Sequence, residues 1–118
     1  MKKAASHRDL IVWQKAMDLC ERTYRITESF PEREVFGLAA QLRKSAVSVP
    51  SNIAEGEGRL YPGERRHFLS HARGSLYELE TQLLISRRVG YAIADEVFEA
   101  LGEERRTPDN YLRYVRNR

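Results

Sequence analysis

Two histidines one helical turn apart are the first residues in this chain whose types and spacing could do chemistry. His67 and His71 can aim two imidazoles at one metal ion, and Glu64 precedes His67 by three. A Glu-x-x-His element is half of a di-iron or di-manganese bundle site, which needs the element twice plus glutamates from two other helices. Here it occurs once, and the third histidine, His7, lies near the N-terminus. The expectation is therefore two exposed histidines, no metal site and no cofactor. Cys20 is the single cysteine, so it has no internal disulfide partner and belongs to no zinc cluster. It falls on the apolar side of a predicted helix, where a thiol acts as a small hydrophobe. No Gly-rich phosphate loop follows a strand, and no nucleophile elbow is present. The carboxylates are spread over helix faces. The chain reads as a non-enzyme with no catalytic residues.

Its basic residues say more. Arginine supplies 16 of the 20 Lys and Arg, against 17 Asp and Glu, for a net charge of +3. The guanidinium fork matches phosphates and carboxylates bidentately, so this bias suits nucleic acid or buried ion pairs. A GC-rich genome would produce the same bias through codon usage. Arg43, Lys44, Arg59, Arg65, Arg66 and Arg73 gather around the second and third predicted helices and are the candidate nucleic-acid-binding set. Arg87, Arg88, Arg105, Arg106, Arg113, Arg116 and Arg118 lie toward other helix ends. The competing reading is that Glu32, Glu34, Glu55, Glu57, Glu64 and Glu78 neutralise these arginines in salt bridges. No stacked aromatics on strands, the usual RNA-recognition signature, are present.

A third candidate is a polar stripe, Ser45, Ser48, Asn52, Glu55 and Arg59, at steps of three and four. Its members are small or hydrogen-bonding rather than the usual solvated Lys and Glu. It should meet another helix, another subunit or a ligand. Buried, Asn52 and Glu55 would need partners such as Arg59, Arg73, Ser75 or Tyr77.

The elements that must carry these residues are helices. Leu38, Leu42, Ala46, Val49 and Ile53 form an apolar stripe beside the polar one. On a first helix, about 9–30, two stripes run in parallel: Leu10, Trp13, Met17, Cys20 and Tyr24, and Val12, Ala16, Leu19, Thr23, Ile26 and Phe30. An apolar face that wide is expected in a bundle that also self-associates. Asp9 is placed to favour the helix start, and Pro31 stops the helix. Pro31-Glu32-Arg33-Glu34 opens a second helix, about 32–57, which Pro50 kinks or breaks. Both stripes keep phase across Pro50, so a kink is expected, with Ser48 or Ser51 bonding the freed carbonyls. A third helix, about 63–89, carries Phe68, Ala72, Leu76, Leu79 and Leu83, with Leu69 and Leu84 alongside and Gly74 permitting close helix approach. A fourth, about 92–116, carries Ile93, Val97, Ala100 and Leu101, with a break near 107–108 where Thr107-Pro108 restarts a helix bearing Tyr111, Leu112 and Val115. Residues 1–7 are expected to be disordered.

At 118 residues, 42% apolar and 31% charged, this is one domain, 1–118, able to bury its own core. Short connectors predict an all-α, antiparallel up-and-down four-helix bundle. No run of about 18 apolar residues exists to span a membrane, and the basic N-terminus leads into an amphipathic helix rather than a signal-peptide core. A cytoplasmic location is expected.

Asp9-Leu10-Ile11-Val12-Trp13-Gln14-Lys15-Ala16, Phe30-Pro31 with Glu34 and Gly37-Leu38, and Gln41-Leu42-Arg43 resemble the four-helix-bundle proteins encoded in intervening sequences of bacterial 23S ribosomal RNA genes. So do Ser48-Val49-Pro50-Ser51-Asn52-Ile53-Ala54-Glu55-Gly56 with Arg59, and Phe68-Leu69 with Gly74-Ser75-Leu76-Glu78-Leu79. The likeness spans about residues 9–90, and its Pro-Ser-Asn-Ile-Ala-Glu-Gly string is highly specific. It implies a bundle that assembles as a ring-like homopentamer with a basic surface. Accessory proteins of diversity-generating retroelements, similar at a greater distance, imply contact with nucleic acid and a reverse transcriptase. The chain departs from the family pattern at Lys44-Ser45 and at Thr107-Pro108. The functional expectation is an oligomeric, non-enzymatic RNA- or DNA-binding protein, with a protein–protein adaptor as the alternative.

Overall fold

The computed structural model describes the backbone of residues 6–117 and the side chains of residues 6–107. It contains α1 (Ile11–Glu28), α2 (Leu38–Glu57), α3 (Pro62–Arg88) and α4 (Asp95–Asn117), with 3-10 turns at His7–Asp9 and Glu32–Glu34. Among the described residues there is no strand. The fold is all-α with four helices, as the apolar periodicity predicts.

Several boundaries differ from expectation, each for a local reason. Asp9 acts one turn earlier than α1: its Oδ2 accepts from Ser6 N at 3.3 Å while Ser6 Oγ accepts from Arg8 N at 3.2 Å. Ser6 and His7 therefore belong to a capped turn; residues 1–5, the rest of the segment expected to be disordered, lie outside the described residues. The expected second helix, 32–57, is divided, because Gly37 leaves the helical conformation. Glu34 bridges the interruption. Its Oε1 accepts from Leu38 N at 3.1 Å and its Oε2 from the Tyr91 hydroxyl at 2.6 Å. A carboxylate on the first free amide of α2 satisfies an orphan donor and suits the positive helix end. The Tyr91 and Leu38 bonds hold the Glu34 carboxyl below its ordinary range, and Glu34 in turn raises the Tyr91 phenol.

Helix α2 runs unbroken through Pro50. The carbonyl left without a donor is that of Ala46, and neither serine fills the gap: Ser48 turns to another helix and Ser51 is exposed. Packing holds the turn instead, since Ala46, Val49, Pro50 and Ile53 are all buried, which offsets the roughly 3 kcal/mol an interior proline costs. Helix α4 starts at Asp95 rather than 92, because Gly90, at φ 108, turns the chain out of α3. It is also continuous across 107–108, so the expected break does not occur. The Thr107 hydroxyl does not cap a new helix; it donates back to the Glu103 carbonyl at 2.9 Å. Side chains of Tyr111, Leu112, Arg113, Val115, Arg116 and Arg118 lie outside the described residues.

One core joins all four helices. Val12, Ala16 and Leu19 of α1 meet Leu42, Ala46, Val49 and Ile53 of α2, Leu69, Ala72, Leu76, Leu79 and Leu83 of α3, and Val97 and Leu101 of α4. On α3 the buried line passes through Leu69 rather than Phe68, which is half-buried, and Leu84 is exposed. Ser45 meets Glu78, Ser48 meets Ser75 and Gly56 abuts Phe68, so α2 and α3 run antiparallel. The same inverse numbering, Glu80 with Arg105 and Arg87 with Asp95, relates α3 to α4. The α1 stripe through Trp13 is only partly covered: Trp13 and Cys20 are half-buried, while Met17 and Tyr24 are 44% and 40% exposed. Burial raises the Cys20 thiol, which fits an inert one.

Candidate functional site

The polar stripe of α2 meets α3. Ser45, 2% exposed, places its Oγ 2.8 Å from Glu78 Oε1 and 2.9 Å from Gln82 Oε1. One hydroxyl proton serves one of these acceptors at a time, and the carboxylate gives the stronger bond. Ser48 Oγ lies 2.7 Å from Ser75 Oγ. Asn52 does not cross the seam. Its Nδ2 donates to the Ser48 carbonyl at 2.8 Å and to Ser48 Oγ at 2.9 Å, which extends the Ser48–Ser75 pair by one turn. Of the partners anticipated for this stripe, Ser75 and Arg59 take part. Arg73 and Tyr77 bond each other, at 3.4 Å. Gln41, Glu78 and Gln82 were not anticipated. For Gln82 the signal was available: it falls in phase with Leu79 and Leu83 and so had to be buried.

Below the seam the helices close tightly. A Cβ on Gly56 would lie 3.3 Å from both the Arg65 carbonyl oxygen and Phe68 Cβ. This is the close approach that the sequence suggested for Gly74, where nothing lies within 4 Å. Pro50, Ile53 and Gly56 thus form the inward face of the Pro-Ser-Asn-Ile-Ala-Glu-Gly string, and Ser51 and Glu55 its outward face.

The six candidate cations do not form one patch. Arg43 is half-buried against α1, where its Nε donates to Thr27 Oγ1 at 2.9 Å and its guanidinium lies 4.9 Å from the Tyr24 ring centre. That removes it from a surface site. Lys44 is exposed on the outer face of α2. Arg73 is exposed and lies over Tyr77, which also carries Arg105 of α4. Two of them do meet, Arg59 and Arg65, at the tip where α2 turns into α3. Arg59 lies 4.6 Å over the Phe68 ring and pairs with Glu55 at 3.2 Å; Arg65 Nε donates to the Arg59 carbonyl at 3.0 Å; Arg66 is the next residue. Glu64 adds a loose 4.0 Å contact to Arg59. Wholesale neutralisation does not occur among the described residues. Of the six expected glutamates, only Glu55 and Glu64 reach a cation, both at Arg59, while Glu34 and Glu78 accept hydrogen bonds.

His67 and His71 are exposed on α3 with Nε2 atoms 3.2 Å apart, beside a shallow groove that Ser70, Gly74, Ser75 and Glu78 help to line. A last polar group was missed entirely. Glu104 is 1% exposed, and neither of its oxygens has a hydrogen-bond partner among the described residues. Burial pushes its carboxyl up to about 8, against an opposing pull from Lys15. Its phase with Val97 and Leu101, at steps of four and three, was the signal for it.

Residues 8–113 match the family model described as 23S rRNA-intervening sequence protein. That span covers most of the 118 residues, and the chain belongs to this family. Comparison with curated proteins gives no match. No helix among the described residues is long and apolar enough to cross a membrane.

Proposed function

We propose that this member of the 23S rRNA-intervening sequence protein family is a non-enzymatic, self-associating bundle of the cytoplasm that holds RNA or DNA by its phosphates. The observation that carries the reading is the α2–α3 tip, where Arg65 bonds the Arg59 carbonyl, Arg66 follows it on α3, and only Arg59 of the three forms an ion pair among the described residues. Phe68 lies beneath the Arg59 guanidinium, whose terminal nitrogens face Glu55 and Glu64 at the exposed surface, where a phosphate would compete with these carboxylates. The half-covered α1 stripe, Trp13, Met17, Cys20 and Tyr24, favours self-association. A homopentameric ring repeats the tip around an axis, so a net charge of +3 per chain multiplies.

Binding to mixed-sequence RNA and DNA, measured across a salt series, tests the reading. Affinity should fall steeply with salt, and Arg65→Glu with Arg66→Glu should weaken it on every sequence alike. No binding at low salt, or binding indifferent to salt, overturns it. Sedimentation that shows a monomer at high concentration removes the self-association. A second reading, a protein adaptor, draws on Phe36, 97% exposed, and Leu60, 84% exposed, at opposite ends of α2. A protein partner retained after nuclease treatment would favour it.

A further inference from the structure

We propose that His67 and His71 form a two-point chelate for a transition-metal dication of the Zn2+, Ni2+ or Cu2+ class on the outer face of α3. This inference is independent of nucleic-acid binding and stands or falls by itself. The Nε2 atoms are 3.2 Å apart and the ring planes stand at 78° with centres 4.5 Å apart. A metal about 2.0–2.1 Å from each nitrogen would see the two about 100° apart, close to the roughly 109° of a tetrahedral site. Imidazole suits this metal class, and two histidines at i, i+4 on one helix face are an established zinc-binding arrangement. Both side chains are exposed, and the space over Gly74, one turn further along, is open. Among the described residues no third His, Cys, Asp or Glu completes the group, which leaves the remaining coordination positions to water. Glu64, one turn earlier, points instead toward Arg59.

The same distance also fits a hydrogen bond between two neutral imidazoles, so the test must separate the two. Folded α3 holds both nitrogens in register, so a metal that needs both binds the folded chain preferentially and raises its melting temperature. The full chain is titrated with zinc and nickel chloride by calorimetry, and melted with and without each salt. His67→Ala, His71→Ala and His7→Ala run beside it, with circular dichroism to confirm that each folds. One metal should bind per chain, at least tenfold more weakly in either His67→Ala or His71→Ala and unchanged in His7→Ala. The metal-induced rise in melting temperature should vanish with the first two variants only. A wild-type affinity equal to that of His67→Ala, or a thermal shift that persists in His71→Ala, overturns the proposal.

Discussion

Two seams of the bundle each take polar residues into the core, and they treat them differently. At α2–α3, Ser45 and Gln82 are 2% and 8% exposed, and both have partners across the seam: Ser45 reaches Glu78 and Gln82, and Gln82 reaches Gln41 at 3.4 Å. On the α4 side facing α1, Glu104 is 1% exposed with no partner for either oxygen among the described residues. Lys15 of α1 attracts its charge while Asp18 opposes it, and Lys15 already approaches Glu103 at 3.8 Å. Helical phase put all three residues inside. Partners decide whether such burial holds the fold together or strains it, because an unpaired buried carboxylate loses its hydration for nothing in return.

The largest expected effect lies at Glu104. In the unfolded chain its carboxyl ionises near 4.5, whereas the folded chain keeps the proton up to about 8. Between these values the folded state binds the extra proton, so stability falls as pH rises from about 4.5 and levels off above 8. At roughly 1.4 kcal/mol per unit, the penalty is on the order of 3 kcal/mol at neutral pH. Glu104→Leu should raise the melting temperature most at pH 8 and least near pH 4.5. Glu104→Gln should flatten the same pH profile while keeping an unpaired amide. Wild-type urea midpoints that stay level from pH 5 to 9 would contradict the contrast between the seams. Glu34 acts in the opposite window. Its lowered carboxyl contributes stability above the ordinary carboxylate range and loses it as pH falls through the folded value.

How far the sequence disclosed this molecule follows the same division. Apolar lines at steps of three and four located four helices and most of the core, since burial of a helix face depends on phase alone. Polar positions depend on what stands opposite, which one chain read in order does not display. Ser48 stands out in the sequence, but Ser75 is expected there as a partner of Asn52 or Glu55 and bonds Ser48 instead. Glu104 and Gln82 lie on apolar lines, where phase places them inside but names no partner. Arg43 looked like surface charge because nothing in its neighbourhood names Thr27 and Tyr24, sixteen and nineteen residues earlier. The prolines divide: Pro31 follows the end of α1 and Pro50 does not break α2, in line with the stripes that keep phase across it, whereas Pro108 lies within a continuous α4 where a break was expected.

Smaller effects sharpen the satisfied side of the comparison. Ser45→Ala should cost about 1 kcal/mol in urea unfolding, the usual worth of a buried hydrogen bond. Its coupling with Gln82→Ala in a double-mutant cycle should be non-zero; additive costs would mean the two residues do not act together. Gly56 and Gly74 form a matched pair on the two helices of this seam. Gly74→Ala adds a methyl to open space in a helix interior and should stabilise by up to about 1 kcal/mol. Gly56→Ala receives the same propensity gain but must push the Arg65 backbone, so it should gain little or lose. Equal gains at both positions would show that the helices are not in close contact at Gly56.

The smallest stability effect is expected at Arg59, and that is what makes it informative. Its pair with Glu55 joins side chains 43% and 58% exposed, so solvent screens most of the attraction, and such pairs contribute between nothing and about 1 kcal/mol. Its position over Phe68 adds a similarly modest amount at an exposed site. Arg59→Gln should therefore leave the urea midpoint nearly unchanged. If Arg59 contacts phosphate, the same substitution should weaken nucleic-acid binding and lower the salt slope by about one. A large loss of stability with unaltered binding would assign Arg59 to the satisfied seam, as a strut between α2 and α3. The candidate phosphate contacts at the tip would then reduce to Arg65 and Arg66.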